Sequence, residues 1–171
     1  MPSPVRAFVA FGANLGDPRT AFALALERLA ALPETRLIAH SSLYRSAPIG
    51  VEGQPDYINA VIALDTALGA RPLLDALFAI EREGGRRRDF HMAPRTMDLD
   101  LLLYGEHVID EPGLQVPHPR MHLRAFTLRP LAEIAPDTPI PGIGTAAALL
   151  PAVADQAIER IAPVMPPEAS R

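Results

Sequence analysis

The sequence predicts an α+β domain with the element order βαββαβ, an antiparallel sheet carrying both helices on one face. Three observations support this. Two segments have helical starts and stops, one running from Asp17-Pro18 to Pro33 and the other from Pro72 to Gly84-Gly85. Apolar segments of strand length stand before, between and after them. The last of these, Thr96 to Tyr104, alternates apolar and acidic residues with the two-residue period of a strand.

Val5 to Phe11 is the first strand, broken by Gly12-Ala13-Asn14-Leu15-Gly16. Asp17 then supplies an N-cap carboxylate and Pro18 a first helical position. Phe22, Ala25, Leu26, Leu29 and Leu32 recur at helical spacing and make one apolar stripe. Thr35 to Arg45 is a second strand, weakened by Ala39-His40-Ser41-Ser42. Ser46 to Pro55 is too rich in Pro and Gly for either element and forms a long loop of the kind that binds ligands. Tyr57 to Leu64 is the third strand. Leu74, Leu77, Phe78 and Glu81 lie along one stripe of the second helix. A loop from Arg86 to Arg95 enters the fourth strand, and a short extra strand is expected around His107 to Ile109. Val116-Pro117-His118-Pro119 is extended, and Leu123 to Ile134 has a helical stripe that Pro130 should kink or interrupt. The order is that of a ferredoxin-like βαββαβ sandwich with a C-terminal extension. Its open sheet face has to be covered by loops, by the C-terminal third or by a ligand.

The chain of 171 residues fits one domain, expected over residues 1–162, with 163–171 a poorly ordered Pro-containing tail. It contains no Cys, which excludes disulfides and thiolate metal sites and suits a reducing cytoplasm. Met1-Pro2-Ser3-Pro4 lacks the basic and apolar regions of a signal peptide, and no apolar run reaches membrane-spanning length. We therefore expect a cytoplasmic protein with no membrane partner, working as a monomer. The formal net charge of −4 argues against a nucleic-acid partner. Arginines nevertheless cluster at Arg86, Arg87, Arg88 and Arg95 and again at Arg120, Arg124 and Arg129, a pattern suited to a small polyanion.

The sharpest chemical signal is Thr96-Met97-Asp98-Leu99-Asp100-Leu101-Leu102-Leu103-Tyr104. Strand alternation puts Met97, Leu99, Leu101 and Leu103 on one face and Asp98 and Asp100 on the other, about 6–7 Å apart. Two carboxylates so placed repel each other and call for a cation. Magnesium takes hard oxygen ligands, commonly one or two carboxylates plus substrate phosphates. The alternative is the solvated side of an edge strand, with Arg95 as ion-pair partner. Guanidinium forks from Arg86, Arg88 and Arg95 match phosphate oxygens, and phosphoryl transfer needs mainly positioning and charge neutralisation. Tyr57 and Asn59 share a face of the third strand, and an amide in mid-strand can read a heterocycle edge. His118 can donate to a phosphate or serve structurally. Glu81 is polar where an apolar residue is expected. No glycine loop ends in Gly-Lys-Ser/Thr, which excludes a P-loop kinase.

Taken together, Phe11-Gly12-Ala13-Asn14-Leu15-Gly16-Asp17, Tyr44-Arg45-Ser46-Ala47-Pro48, Gln54-Pro55-Asp56-Tyr57-Ile58-Asn59-Ala60, Pro94-Arg95-Thr96-Met97-Asp98-Leu99-Asp100 and Val116-Pro117-His118 resemble, in this order, the 6-hydroxymethyl-7,8-dihydropterin pyrophosphokinases of folate biosynthesis. The resemblance implies transfer of the β,γ-pyrophosphoryl group of ATP to the pterin hydroxymethyl oxygen, with release of AMP. It implies two Mg2+ ions on Asp98 and Asp100. It places Ser46, Ile49, Tyr57, Asn59 and Phe126 at the pterin. It places Glu81, Arg86, Arg88, Arg95, His118 and Arg124 at ATP, with Arg86 and Arg95 nearest the transferring phosphates. The loop Asp89-Phe90-His91-Met92-Ala93 lacks the tryptophan common in that family, and Phe90 or Met92 is the candidate replacement. A nucleotidyltransferase on the same fold and an RNA-binding ferredoxin-like module are the competing classes. The module would need aromatic residues on the open sheet face, where this chain offers carboxylates.

Overall fold

The computed structural model describes residues 3–13, 17–46, 57–85 and 97–161, with only the backbone described at residue 85. The main strands and helices are β1 (Val5–Ala13), α1 (Pro18–Ala30), β2 (Thr35–His40), β3 (Tyr44–Ser46), β4 (Tyr57–Thr66), α2 (Ala70–Gly85) and β5 (Asp98–Tyr104). They are followed by the hairpin β6 (Ile109–Glu111) and β7 (Leu114–Val116), α3 (Ala125–Ile134), the short pair β8 (Pro139–Ile140) and β9 (Gly144–Thr145), α4 (Ala146–Leu149) and β10 (Ile158–Arg160). The sheet order is β10-β3-β4-β1-β5 with β2 also paired to β4, and every pairing is antiparallel. This is the expected α+β arrangement, with β1 held between β4 and β5.

Asp17 caps α1 as expected, accepting from the Arg19 N–H at 3.1 Å and the Thr20 hydroxyl at 2.7 Å. The expected second strand is split in two. At the break Ser41 N–H donates to the Val61 carbonyl, and the Ser41 hydroxyl accepts from Val61 N–H, both at 2.9 Å. A buried serine thus keeps the β4 backbone satisfied where the ladder is interrupted. The α2 stripe is rotated from expectation. Leu73, Leu74, Leu77 and Ile80 are buried, whereas Phe78 is 44% exposed. α3 runs through Pro130 without ending there, and the predicted stripe loses Leu123, which is exposed.

The sheet separates two cores. On one side Val9, Phe11, Ile62, Leu64, Leu99 and Leu101 pack against Phe22 and Leu29 of α1 and Leu73 and Leu77 of α2. On the other Phe8, Val61, Ala63, Leu102 and Leu103 pack against Met121 and against Ala125, Leu128 and Leu131 of α3, with Ala146 and Val153 beyond. The C-terminal third therefore covers part of the open face. Leu103 departs from strict alternation. The β1–β5 register shifts between Phe8 and Val9, whose partners are Leu103 and Leu101. Leu102 is the extra residue, so Leu102 and Leu103 both face the second core and Tyr104 returns to the first.

One carboxylate ties the C-terminal third to the sheet. Glu133 of α3 accepts from Ser42 N–H (3.0 Å), the Ser42 hydroxyl (2.9 Å), the Tyr44 hydroxyl (2.7 Å) and Arg160 (3.3 Å). Burial, followed by the bond to Glu133, pushes the Tyr44 hydroxyl from 10.0 up to about 12.

Two outcomes follow for stability. Because Leu128 and Leu77 are each fully buried, on opposite sides of one sheet, Leu128→Ala and Leu77→Ala should each cost about 3 kcal/mol in urea denaturation. Each should keep a single transition, and a separate early transition in Leu128→Ala would make the C-terminal third an independent unit. Tyr44 ionises later in the folded than in the unfolded chain, so its contribution is intact below pH 10 and is lost as pH rises towards about 12. Ultraviolet titration should show a tyrosine component near that upper value that vanishes in Tyr44→Phe; an unchanged titration curve would contradict the assignment.

Candidate active site

The site is built on the part of the sheet that α3 leaves open. Gly12 of β1 pairs with Asn59 of β4 on one side and with Asp98 of β5 on the other. Two residues earlier Ala10 pairs with Val61 and Asp100. Residues directly paired in a sheet project to the same face. Asn59, Gly12 and Asp98 therefore form one row across three strands, with Asp100 in the adjacent row. Tyr44 pairs with Asn59, which extends that row onto β3, and Ser46 pairs with Tyr57 in a further row.

A cavity of about 400 Å³ opens over these rows, lined by Ala10, Phe11, Gly12, Ser46, Tyr57, Asn59, Asp98, Asp100, Leu102, His118, Arg124, Phe126 and Thr127. Asn59 is buried, and its Oδ1 accepts from the Ser46 hydroxyl at 2.9 Å. That bond turns the Nδ2 donors away from Ser46. On the opposite wall the Arg124 guanidinium lies 5.3 Å from the centroid of the Phe126 ring. Both come from the start of α3, where no side chain of the helix itself supplies a cap. Gln156 does so from a later segment: its Oε1 accepts from Ala125 N–H at 2.8 Å, and its Nε2 donates to the Leu123 carbonyl at 2.9 Å.

A second groove, of about 590 Å³, lies beyond β5. It is walled by Leu74 and Phe78 of α2 and by the β6–β7 hairpin from Asp110 to Gln115. Asp100 and His118 line both spaces, so the two cavities meet at these residues.

β5 is the edge of the main sheet, and its outward backbone groups need partners. Leu99 N–H donates to Glu81 Oε2 at 2.6 Å, and the Leu102 carbonyl accepts from His118 N–H at 2.9 Å. This explains the polar residue on the stripe of α2. Glu81 lines neither cavity; it holds the backbone between the two aspartates. The His118 Nδ1 accepts from Arg120 N–H at 3.1 Å, which leaves Nε2 as the donor of the neutral ring. Burial lowers the His118 pKa, partly offset by Asp100, with Arg124 and Arg120 lowering it further.

The structure thus gathers Ser46, Tyr57, Asn59, Asp98, Asp100, His118, Arg124 and Phe126 around one cavity, and sets Glu81 behind β5. Ile49, Arg86, Arg88 and Arg95 lie outside the described residues, as do the segment 86–96 that includes Phe90 and Met92 and the tail 162–171. Sequence reasoning missed Thr127, Leu102, Ala10 and Gly12 as lining residues, and the groove beyond β5 altogether. The strand partners of Asp98 and Asp100 on β1 are the signal that would have found Gly12 and Ala10.

Asp98 is half-buried and Asp100 exposed. Among the described residues no cluster of three or more His, Cys, Asp or Glu side chains is placed to hold a metal. Two carboxylates on one strand face have the chemistry of an ion that keeps coordination positions for water and phosphate oxygen, as magnesium does.

Known proteins resemble this chain in fold or in sequence. Wild-type Plasmodium falciparum HPPK-DHPS in its crystal structure with SDX-DHP superimposes with a TM-score of 0.72 at 12% identity. That likeness covers 89% of this chain and 45% of the other, so this chain spans under half its length. The 2-amino-4-hydroxy-6-hydroxymethyldihydropteridine pyrophosphokinase of Pseudomonas aeruginosa is 51% identical over 156 residues, covering 91% of this chain and 96% of that protein. The enzyme of the same name from Haemophilus influenzae is 40% identical over 159 residues, covering 93% and 99%. Residues 8–136, which run from β1 through α3 and include every strand lining the cavity, match the family described as 7,8-dihydro-6-hydroxymethylpterin-pyrophosphokinase (HPPK), and the chain belongs to that family.

Proposed function

We propose that the protein transfers the β,γ-pyrophosphoryl group of ATP to the hydroxymethyl oxygen of 6-hydroxymethyl-7,8-dihydropterin, releasing AMP, and that the residues around the two cavities perform it. The family's reaction, a step of folate biosynthesis, is that of an ATP-dependent diphosphotransferase. The observation that supports the residue assignment best is the meeting of two cavities at Asp100 and His118. A reaction between two bound substrates needs two adjoining spaces that meet at the charges able to stabilise transfer.

The cavity over β1 and β4 suits the pterin. The Asn59 amide reads the polar edge of the ring, Phe126 covers its face, and Tyr57 and Ser46 complete the wall; Ile49, outside the described residues, is assigned to the pterin on the family resemblance alone. The groove beyond β5 suits the nucleotide, whose phosphates then reach towards Asp98 and Asp100. Those carboxylates would hold two Mg2+ ions, which supply charge neutralisation at the phosphates. His118, neutral near pH 7 and with Nε2–H free of the Arg120 bond, donates to a phosphate oxygen. Arg124 contributes positive charge from the α3 side, and Arg86, Arg88 and Arg95 do so from the segment entering β5. Glu81 serves the nucleotide side by fixing β5 through Leu99. The mechanism relies on positioning and charge rather than on a dedicated general base.

No helix among the described residues is long and apolar enough to cross a membrane. We place the enzyme in the cytoplasm as a monomer. Its large exposed apolar residues among those described, Phe78, Val108, Leu123 and Ile143, belong to four different segments.

Product analysis tests the reaction. AMP and a pyrophosphorylated pterin support it; ADP, or free pyrophosphate with a nucleotidylated acceptor, would sink it. Asp98→Ala and Asp100→Ala should each lower turnover by about a thousandfold, the effect of losing roughly 4 kcal/mol of transition-state stabilisation, while thermal unfolding stays near wild type. Near-normal turnover in either variant would remove the metal assignment.

A further inference from the structure

Gly12 is a glycine that its backbone does not require. It lies in β1, a strand paired on both sides, and it is not among the described glycines with positive φ. A glycine within a strand forfeits stability relative to alanine and packs nothing. A Cβ built there would stand 3.4 Å from Asn59 Nδ2, an ordinary contact that the fold can accommodate. Among the described residues folding thus gives no reason for glycine, whereas the cavity does. Gly12 lies in the row between Asn59 and Asp98, and Ala10, the next residue of β1 on that face, lies between Val61 and Asp100. Both line the cavity. On this face β1 therefore presents two small residues in succession, Ala10 and Gly12, as a shallow trough between the amide-bearing strand and the carboxylate-bearing strand.

We infer that Gly12 is a specificity-determining residue: the missing side chain sets the depth at which a flat bicyclic heterocycle lies over β1, in line with the Asn59 amide and with its substituent towards Asp98. The inference rests on the pterin reading of this cavity and adds a residue whose contribution is absence of volume. A methyl at position 12 lifts the ring off the strand and covers the Nδ2 donors, which weakens the pterin. The groove beyond β5 does not include Gly12, so the nucleotide is unaffected.

The test uses the full chain, as wild type, Gly12→Ala and Gly12→Val, titrated calorimetrically with 6-hydroxymethyl-7,8-dihydropterin and separately with a magnesium complex of a non-hydrolysable ATP analogue. Melting temperatures are measured alongside. Gly12→Ala should melt at or above the wild-type temperature and bind the pterin about tenfold more weakly, with the analogue's Kd changed by less than about twofold. Gly12→Val should weaken the pterin further; if it fails to fold, Gly12→Ala alone decides. An unchanged pterin Kd in folded Gly12→Ala would overturn the inference, as would equal weakening of both ligands. Failure of the wild type to bind the pterin would instead remove the reading of the cavity on which the inference stands.

Discussion

The antiparallel register of β1 between β4 and β5 is the constraint on which the rest depends. It pairs Gly12 with Asn59 and with Asp98, and Ala10 with Val61 and with Asp100. A slip of one residue would turn every side chain of a strand to the opposite face. Asn59 or the aspartates would then enter the core beneath α1 and α2, which is built of aliphatic and aromatic residues. Burial of Val9, Phe11, Ile62, Leu64, Leu99 and Leu101 on that side holds the register, so hydrophobic packing on one face sets the chemistry on the other. The bulge at Leu102 adds to this. It ends the alternation after Asp100 and gives Leu102 and Leu103 to the second core, where α3 docks.

The edge of the sheet is the second element of the account. β5 must carry the aspartates at an open position, and an open edge strand leaves backbone groups without partners. Glu81 and His118 each satisfy one of them. The His118 backbone bond simultaneously brings the imidazole beside Asp100, at the junction of the two cavities. Support of the strand and placement of a phosphate donor are thus one contact. The roof is fixed in a comparable way: Gln156 completes the start of α3, where Arg124 and Phe126 sit, and Glu133 anchors its far end to Ser42, Tyr44 and Arg160.

Much of this was legible in the sequence because it is local. Asp17-Pro18 states a helix start, and the alternation of Asp98 and Asp100 with Leu99 and Leu101 states which face is polar. Tyr57 and Asn59 announce a shared face in the same way. What was not legible depends on contacts distant in the chain. The bulge arises from the partner strand β1, so Leu103 could not be assigned from β5 alone. Pro130 stays inside α3, a helix packed against the sheet through Leu128 and Leu131. The acceptor role of Glu81 towards Leu99 N–H spans 18 residues and so was not legible either. The groove beyond β5 needs the β6–β7 hairpin for a wall, and one short extra strand was expected there instead of a paired one.

The central claim is that the two cavities hold two substrates at once, side by side across Asp100 and His118. Calorimetric titration of the pterin into wild-type protein, with and without saturating magnesium and a non-hydrolysable ATP analogue, tests it most directly. The account predicts one pterin site in both conditions, occupied while the nucleotide remains bound. Competitive displacement of one ligand by the other would place both in a single cavity and contradict it.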